Sequence, residues 1–241
     1  MILITINDVR KYRQLGKQLN DENFSGRVLE IQENELTELL GKPLSYDLFN
    51  YLETGWNAQA GTFTRISDTQ FRAESIDLTA WLDYAIRINE DTFVVVKDAV
   101  LDTTDTILTI EGYVLPTLLT TIEFKVVNNY VKLLNGTDYI LDSKTIRFNG
   151  LRGFIIWKFL AVFLADGNVK QSDVGNFSIA SPNFREPQGG SITAAKSIYL
   201  QNSIREENNI CEFLNDNNTL YPLWEQKIDN QNIMNYDFIV I

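Results

Sequence analysis

The segment 151–165, LRGFIIWKFLAVFLA, constrains this chain more than any other. From Phe154 to Ala165 its only charge is Lys158. Apolar side chains cover nearly the whole helical wheel, which predicts a helix surrounded by other elements. The run is shorter than the roughly 20 residues that cross a bilayer, so it reads as a central core helix. Asp166 and Gly167 follow, with Gly167 placed as a C-terminal capping glycine.

Two groups of helices are expected to wrap it. An apolar lead-in or short strand, Ile2 to Ile6, precedes a short helix over 9–15 that Asn7 or Asp8 can cap. A longer helix starts at Asp21-Glu22-Asn23. Phe24, Val28, Leu29, Ile31, Leu36, Leu39 and Leu40 form its buried stripe, and Glu30, Glu33, Glu35 and Glu38 lie on the other face. Gly41 ends it and Pro43 prevents continuation. Leu44, Leu48, Phe49 and Leu52 give the next helix an inward face, with Tyr51 at the border. Near the other end, Pro187 and Gly189-Gly190 read as a hinge. Ser191 is expected to cap a helix running to about Leu214, and LYPLW (220–224) follows as an aromatic anchor.

Between these groups the texture changes. Residues 57–149 are rich in Thr, Val, Ile, Phe and Tyr. Strands are expected at 93–97, 107–113, 121–127 and 144–148. A hairpin is expected from 130–134 and 139–141 around Asn135-Gly136, a dipeptide suited to a type I′ turn. Residues 78–88, LTAWLDYAIRI, fit either a helix or a strand. The expected fold class is α+β: a helical-bundle domain of residues 1–56 and 150–224, an inserted β-rich domain of residues 57–149, and a C-terminal tail of residues 225–241. Insertions of this kind are accommodated at exposed loops whose ends lie close together.

Composition narrows the chemistry. The chain of 241 residues carries a net charge of −11, no histidine and a single cysteine, Cys211. The commonest neutral-pH base and metal ligand is therefore missing, and neither an intrachain disulfide nor a thiolate cluster can form. Phosphate neutralisation by Lys and Arg drives non-specific nucleic-acid binding, so a chain this acidic is a poor binder; it suits a surface past which DNA slides. No phosphate-binding glycine loop, dinucleotide fingerprint or nucleophile elbow is present. Asp102, Asp105 and Glu111, or Asp138 and Asp142, are the remaining carboxylate groupings that could meet a hard cation. No cofactor, no metal and no catalytic set are assigned. The start, with its apolar run before its charges, is the wrong order for a signal peptide, so synthesis in the cytoplasm is expected.

Four stretches, taken in order, carry a resemblance: ITINDVRKY; ENELTELLGKPLSYDL; LRGFIIWKFLAVFLADGNVKQSDVGNFSIASP; and YPLW. Together they resemble the head–tail connector (adaptor) proteins of tailed bacteriophages, including those of crAss-like phages of gut Bacteroidales. The resemblance implies a virion structural protein rather than an enzyme. It would form a homo-oligomeric ring, typically twelve-fold, below the portal protein. Such a ring docks tail or further ring proteins and lets DNA pass without sequence-specific binding, away from any membrane. Its contacts would come from an arm, with Asn176, Phe177, Ile179, Phe184 and Arg185, and from the tail, with Tyr236, Phe238, Ile239, Val240 and Ile241. On its residues alone, the apolar, β-prone tail end either folds back on its own domain or pairs with a neighbouring chain by strand addition. The inserted β-block departs from common short connectors. One alternative makes it a carbohydrate- or host-binding module, with Trp81, Tyr113, Tyr130 and Tyr139 as stacking residues; another makes the chain a carboxylate-based, metal-dependent hydrolase.

Overall fold

The computed structural model describes residues 1–12, 21–111, 114–141, 143–165 and 189–225. Among these the chain forms six α-helices and nine strands. In chain order they are α1 (Ile6–Tyr12), α2 (Asp21–Leu40), α3 (Lys42–Glu53), β1 (Asn57–Ala58), β2 (Phe63–Arg65), β3 (Gln70–Ala73), β4 (Ala85–Ile88), β5 (Thr92–Asp102), β6 (Asp105–Glu111), β7 (Ile122–Lys125), α4 (Asn129–Asn135), β8 (Thr137–Leu141), β9 (Lys144–Phe148), α5 (Gly150–Ala165) and α6 (Gly189–Asp216). The fold is α+β.

Helix α5 is the core helix. Leu151, Phe154, Ile155, Ile156, Phe159, Leu160 and Ala161 are all buried. It packs against α6 along its length and against α4, α2 and α1. Its one mid-helix charge is matched: Lys158 Nζ lies 2.8 Å from Glu35 on α2. The acidic face of α2 is thus not wholly solvated. Glu30, Glu33 and Glu38 are exposed, while Glu35 is half-buried and ties α2 to α5. On α6 the inward positions are Tyr199, Ser203, Glu206, Ile210 and Phe213, alternating by four and three. Buried Glu206 accepts from Asn149 Nδ2 at 3.0 Å, directly before the first turn of α5, where a carboxylate also complements the helix dipole.

The seven-stranded sheet is antiparallel throughout, in the order β1-β7-β4-β5-β6-β3-β2. Strand β5 is its pivot. Alternation sends Phe93 and Val95, with Ala85 opposite Val95, into the same core as the helices. Val94 and Val96, with Ile86 and Ile88 on β4, point the other way, into a second core closed by Phe71, Leu78, Trp81, Leu108 and Leu115. Burial on both faces is why 93–97 reads as a continuous apolar run. A bulge between Val96 and Asp98 ends this arrangement, and Val100 and Leu101 beyond it are exposed.

Several local expectations change. Residues 130–134 are not a strand but most of α4. Tyr130, Val131, Leu133 and Leu134 are buried together with α5, and their one-, three- and four-residue spacing is helical. Asn135-Gly136 is therefore a helix C-terminus, with Gly136 at φ 84, rather than a hairpin turn. The hairpin is β8–β9, turning between Leu141 and Lys144, where Ser143 has φ 63. Residues 78–88 contain both a single 3₁₀ turn (Thr79–Trp81) and strand β4. Helix α1 starts earlier than expected because Thr5 and Asp8 bond reciprocally: Thr5 N donates to Asp8 Oδ2 at 2.8 Å, and Asp8 N donates to Thr5 Oγ1 at 3.3 Å. The lead-in is not a strand; Leu3 N donates to Gln32 Oε1 and Gln32 Nε2 donates to Met1 O, both at 2.9 Å. Gly189 and Gly190 open α6 instead of forming a hinge ahead of it. They fall where backbone N–H groups lack intrahelical partners anyway. The expected Gly167 cap lies outside the described residues, as does Pro187.

Gly136 and Gly150 meet back to back where α4 leads into β8 and β9 leads into α5. Both have positive φ, 84 and 73. A Cβ on Gly150 would overlap the Gly136 nitrogen and lie 2.5 Å from Leu134 O; one on Gly136 would overlap Phe148 O. Gly150→Ala is expected to lower stability by about 3 kcal/mol or more, combining left-handed strain with backbone overlap. Leu160→Asp, which buries an unpaired charge, should abolish cooperative unfolding altogether. Urea denaturation followed by circular dichroism checks both.

Candidate interaction site at the sheet–helix seam

The sheet meets the helices across a cluster of cations and aromatic rings. Lys125, on β7, places Nζ 3.8 Å from the ring centre of Tyr51 and 4.6 Å from that of Trp56, and it donates to Tyr51 O. Arg87, on the neighbouring strand β4, lies 5.3 Å above Trp56 and bonds Glu123 at 2.5 Å. Trp56 in turn packs on Phe93 at 5.7 Å. These cations use the ring faces as their counter-surface, an attraction that strengthens as water is excluded. The Tyr51 hydroxyl donates to Val127 O, Tyr130 donates to Asp47, and Tyr221 donates to Asn129 O at 2.7 Å. α3, the end of β7, α4 and the segment after α6 are thereby joined through three phenols.

The perturbed ionisations gather here. Burial pushes the Tyr51, Tyr130 and Tyr221 hydroxyls well above the usual phenol range, with the Asp47 contact adding to the effect at Tyr130. Burial and then the Arg87 charge pull Lys125 down to about 8. Its ring faces and the Tyr51 carbonyl favour the ammonium, so the charge stays on the amine at neutral pH.

Beside this cluster opens a groove of about 540 Å³ between the end of β7 with α4 and the segment after α6. Val126, Val127 and Leu220 stand exposed along it. Lys132 closes one side, paired with Asp83 at 2.9 Å. Asn129 Nδ2 donates to Leu220 O at 2.8 Å across the groove, while Asn129 Oδ1 is shielded from solvent with no hydrogen-bond partner among the described residues.

The residues assigned to contacts from the sequence, Asn176, Phe177, Ile179, Phe184 and Arg185 in the arm and Tyr236, Phe238, Ile239, Val240 and Ile241 in the tail, all lie outside the described residues. Among the described carboxylates of these groupings, Asp102, Asp105 and Asp138 each lie beside an arginine. Asp102 and Asp105 face each other at the tip of β5–β6, each 3.8 Å from Arg72. Asp105 also accepts from Ser75 N at 2.9 Å, and Asp138 is paired with Arg147 at 3.1 Å. Asp142 is outside the described side chains. Among the described residues, no group of three His, Cys, Asp or Glu side chains could hold a metal ion. Of the aromatic residues considered for stacking on sugar, Trp81 and Tyr130 are buried in the core, while half-buried Tyr139 packs edge-on against Phe213 at 5.5 Å. Tyr113 is outside the described residues. Among the described residues no helix is long and apolar enough to cross a membrane.

The seam itself escaped the sequence. Lys125 looks like the solvent-facing member of an alternating strand, and its partner Tyr51 is 74 residues away. Comparison with known protein families, curated proteins and solved structures finds no match for this chain.

The shifted groups at the seam contribute opposite pH trends to stability in alkali. Between about 8 and the ordinary lysine value of 10.5, folded Lys125 has released a proton that the unfolded chain keeps, so its contribution makes stability rise with pH. Above about 10 the unfolded phenols ionise while the folded ones stay protonated, so stability falls. Lys125→Met should remove the rise. Tyr221→Phe should cost about 1 kcal/mol at neutral pH and reduce the alkaline slope by about one proton. Urea titrations at a series of pH values measure both.

Proposed function

We propose that this chain is a virion structural protein, a subunit of a head–tail connector ring that sits below the portal, extends the DNA channel and docks the tail. The observation that carries this is the convergence of the four stretches bearing the resemblance. ITINDVRKY supplies Ile4, Ile6 and Val9; ENELTELLGKPLSYDL supplies Leu36, Leu39, Leu40, Leu44 and Leu48. The core helix supplies Leu151 to Leu160, and YPLW supplies Tyr221 and Trp224. Segments separated by more than 200 residues along the chain thus build one core, as one ancestral helical unit would. On this reading residues 1–56 and 150–224 are the connector bundle and residues 57–149 are an insert, absent from shorter connectors. The arm and the tail make the contacts between subunits and with the portal.

The insert has a place in this scheme. Its sheet is anchored at the seam through Phe93, Val95 and the Lys125 cluster. Beyond the β5 bulge its far end presents Val100 and Leu101 to solvent, a position from which it can meet further tail or fibre proteins. The net charge of −11 suits a channel wall past which DNA moves without sticking.

Co-expression with the portal protein of the same particle, followed by negative-stain imaging, tests the proposal. Rings of this chain seated on the portal are expected. A chain that is absent both from portal complexes and from purified particles overturns it.

A further inference from the structure

We propose that the edge of strand β5 beyond its bulge, residues 97–102, takes up an extended segment of a partner protein by strand addition, and that this segment carries a basic, an apolar and a basic residue at alternate positions. Strand β4 pairs with β5 only as far as Val95. The last backbone bonds on that side run from Val96 N to Tyr84 O at 2.9 Å and from Asp83 N to Val96 O at 2.8 Å. Beyond Val96, β5 pairs with β6 alone among the described residues. The phase of that ladder is set by Ile110, which gives its N–H to Thr69 O on the β3 side at 2.9 Å. Its neighbour Thr109 therefore bonds towards β5, opposite Asp98. Alternation then gives Asp98, Val100 and Asp102 to β6 and turns the N–H and C=O of Ala99 and Leu101 outward. The 3₁₀ turn Thr79–Trp81 crosses a face of the sheet rather than following this edge. Trp81 is buried in the second core, and Leu78 N donates to Thr106 Oγ1 at 2.9 Å beneath β6.

The side chains along the edge define the occupant. Val100 and Leu101 are exposed by 52% and 47%, so the strand is apolar on both of its faces. Val100 stands opposite half-buried Ile107, and an apolar residue set on its other side lengthens that cross-strand row. Asp98 and Asp102, both exposed, flank Val100 on the same face, two residues away on either side. Opposite charges facing each other across a strand pair attract and like charges repel, so the incoming strand needs Lys or Arg at the two positions beside them. Arg72 offsets little of this acidity, because Asp102 and Asp105 share it, each at 3.8 Å. A second copy of the same edge fits badly: antiparallel pairing centred on Val100 sets Asp98 of each chain against Asp102 of the other. In the proposed complex, main-chain bonds to Ala99 and Leu101 supply affinity and the alternate side chains supply specificity. The inference rests on the reading of the insert's far end as a contact surface, and it adds the chemistry of the partner.

The test uses the full chain and two fluorescent peptides, one with the core Lys-Ile-Val-Thr-Lys and one with Glu in place of both lysines, each between Ser-Gly flanks. Anisotropy is expected to show saturable binding of the Lys peptide, about tenfold tighter than that of the Glu peptide. Amide hydrogen exchange should slow at Ala99 and Leu101 when the Lys peptide is added. N-methylation of its Ile and Thr, the residues that face Ala99 and Leu101, should abolish binding. Asp98→Lys should weaken the Lys peptide about tenfold. Leu101→Pro removes an outward N–H and spares the ladder to β6, so it should abolish binding while the urea transition stays cooperative. Four results overturn the inference: no saturable binding, equal binding by the N-methylated peptide, protection centred elsewhere on the chain, or protection of Ala99 and Leu101 that rises with protein concentration without peptide, the mark of pairing between copies. None of these bears on whether rings form on the portal, which imaging decides separately.

Discussion

Everything in this fold is fixed around the point where two backbones touch without side chains between them. Gly136 and Gly150 close the ends of one excursion, the β8–β9 hairpin, and bring the last turn of α4 against the first turn of α5. No other residue type satisfies both the positive φ and the approach. With that contact made, Asn149 is held beside Glu206 and α6 is keyed to the start of α5. Phe148 then stacks on Phe213 at 4.2 Å, fixing the hairpin against the same helix. The apolar wheel of α5 is thereby covered on successive sides by α4, α6, α2 and α1.

The sheet is attached by a different kind of force. Phe93 and Val95 contribute non-directional apolar burial, while Lys125, Arg87, Tyr51 and Trp56 contribute a directional arrangement of cations on ring faces. The first holds the two layers together; the second fixes how they are rotated, because a cation is favoured over a ring face and not at its edge. Asn135 Nδ2, donating to Phe93 O at 2.6 Å, adds a further pin from α4. The arrangement leaves the groove open on the flank where α4 and the chain after α6 diverge.

Much of the helical part was legible because its signals are local. The all-apolar wheel of 151–165, the Gly41 and Pro43 punctuation and the LYPLW anchor each depend on neighbours within a few residues. The strands at 93–97 and 144–148 were legible from two-sided burial and from alternation. What the sequence hid was either competition between local signals or pairing at long range. Asn135-Gly136 suits a hairpin turn as well as a helix end, and only the packing of Leu133 and Leu134 on α5 decides between them. Gln32 acts as partner to a backbone 29 residues away, and Lys125 is recognisable as a seam residue only once Tyr51 is beside it. The contact segments read from the sequence lie outside the described residues, and the groove at Asn129 and Leu220 is a surface that no spacing announces.

The glycine contact also sets an order of events. Gly136 and Gly150 are near neighbours in sequence, so the loop they close is short and its closure entropy is small. The helix–hairpin–helix it defines can form from local encounters alone. Helices α1–α3 must instead wait for α4 and α5 far downstream, as in the 83-residue separation of Asp47 and Tyr130, and β7 meets Tyr51 only across a separation of 74 residues. The short separations within this unit favour a start near the middle of the chain, with the long-range contacts of the earliest helices expected to form later.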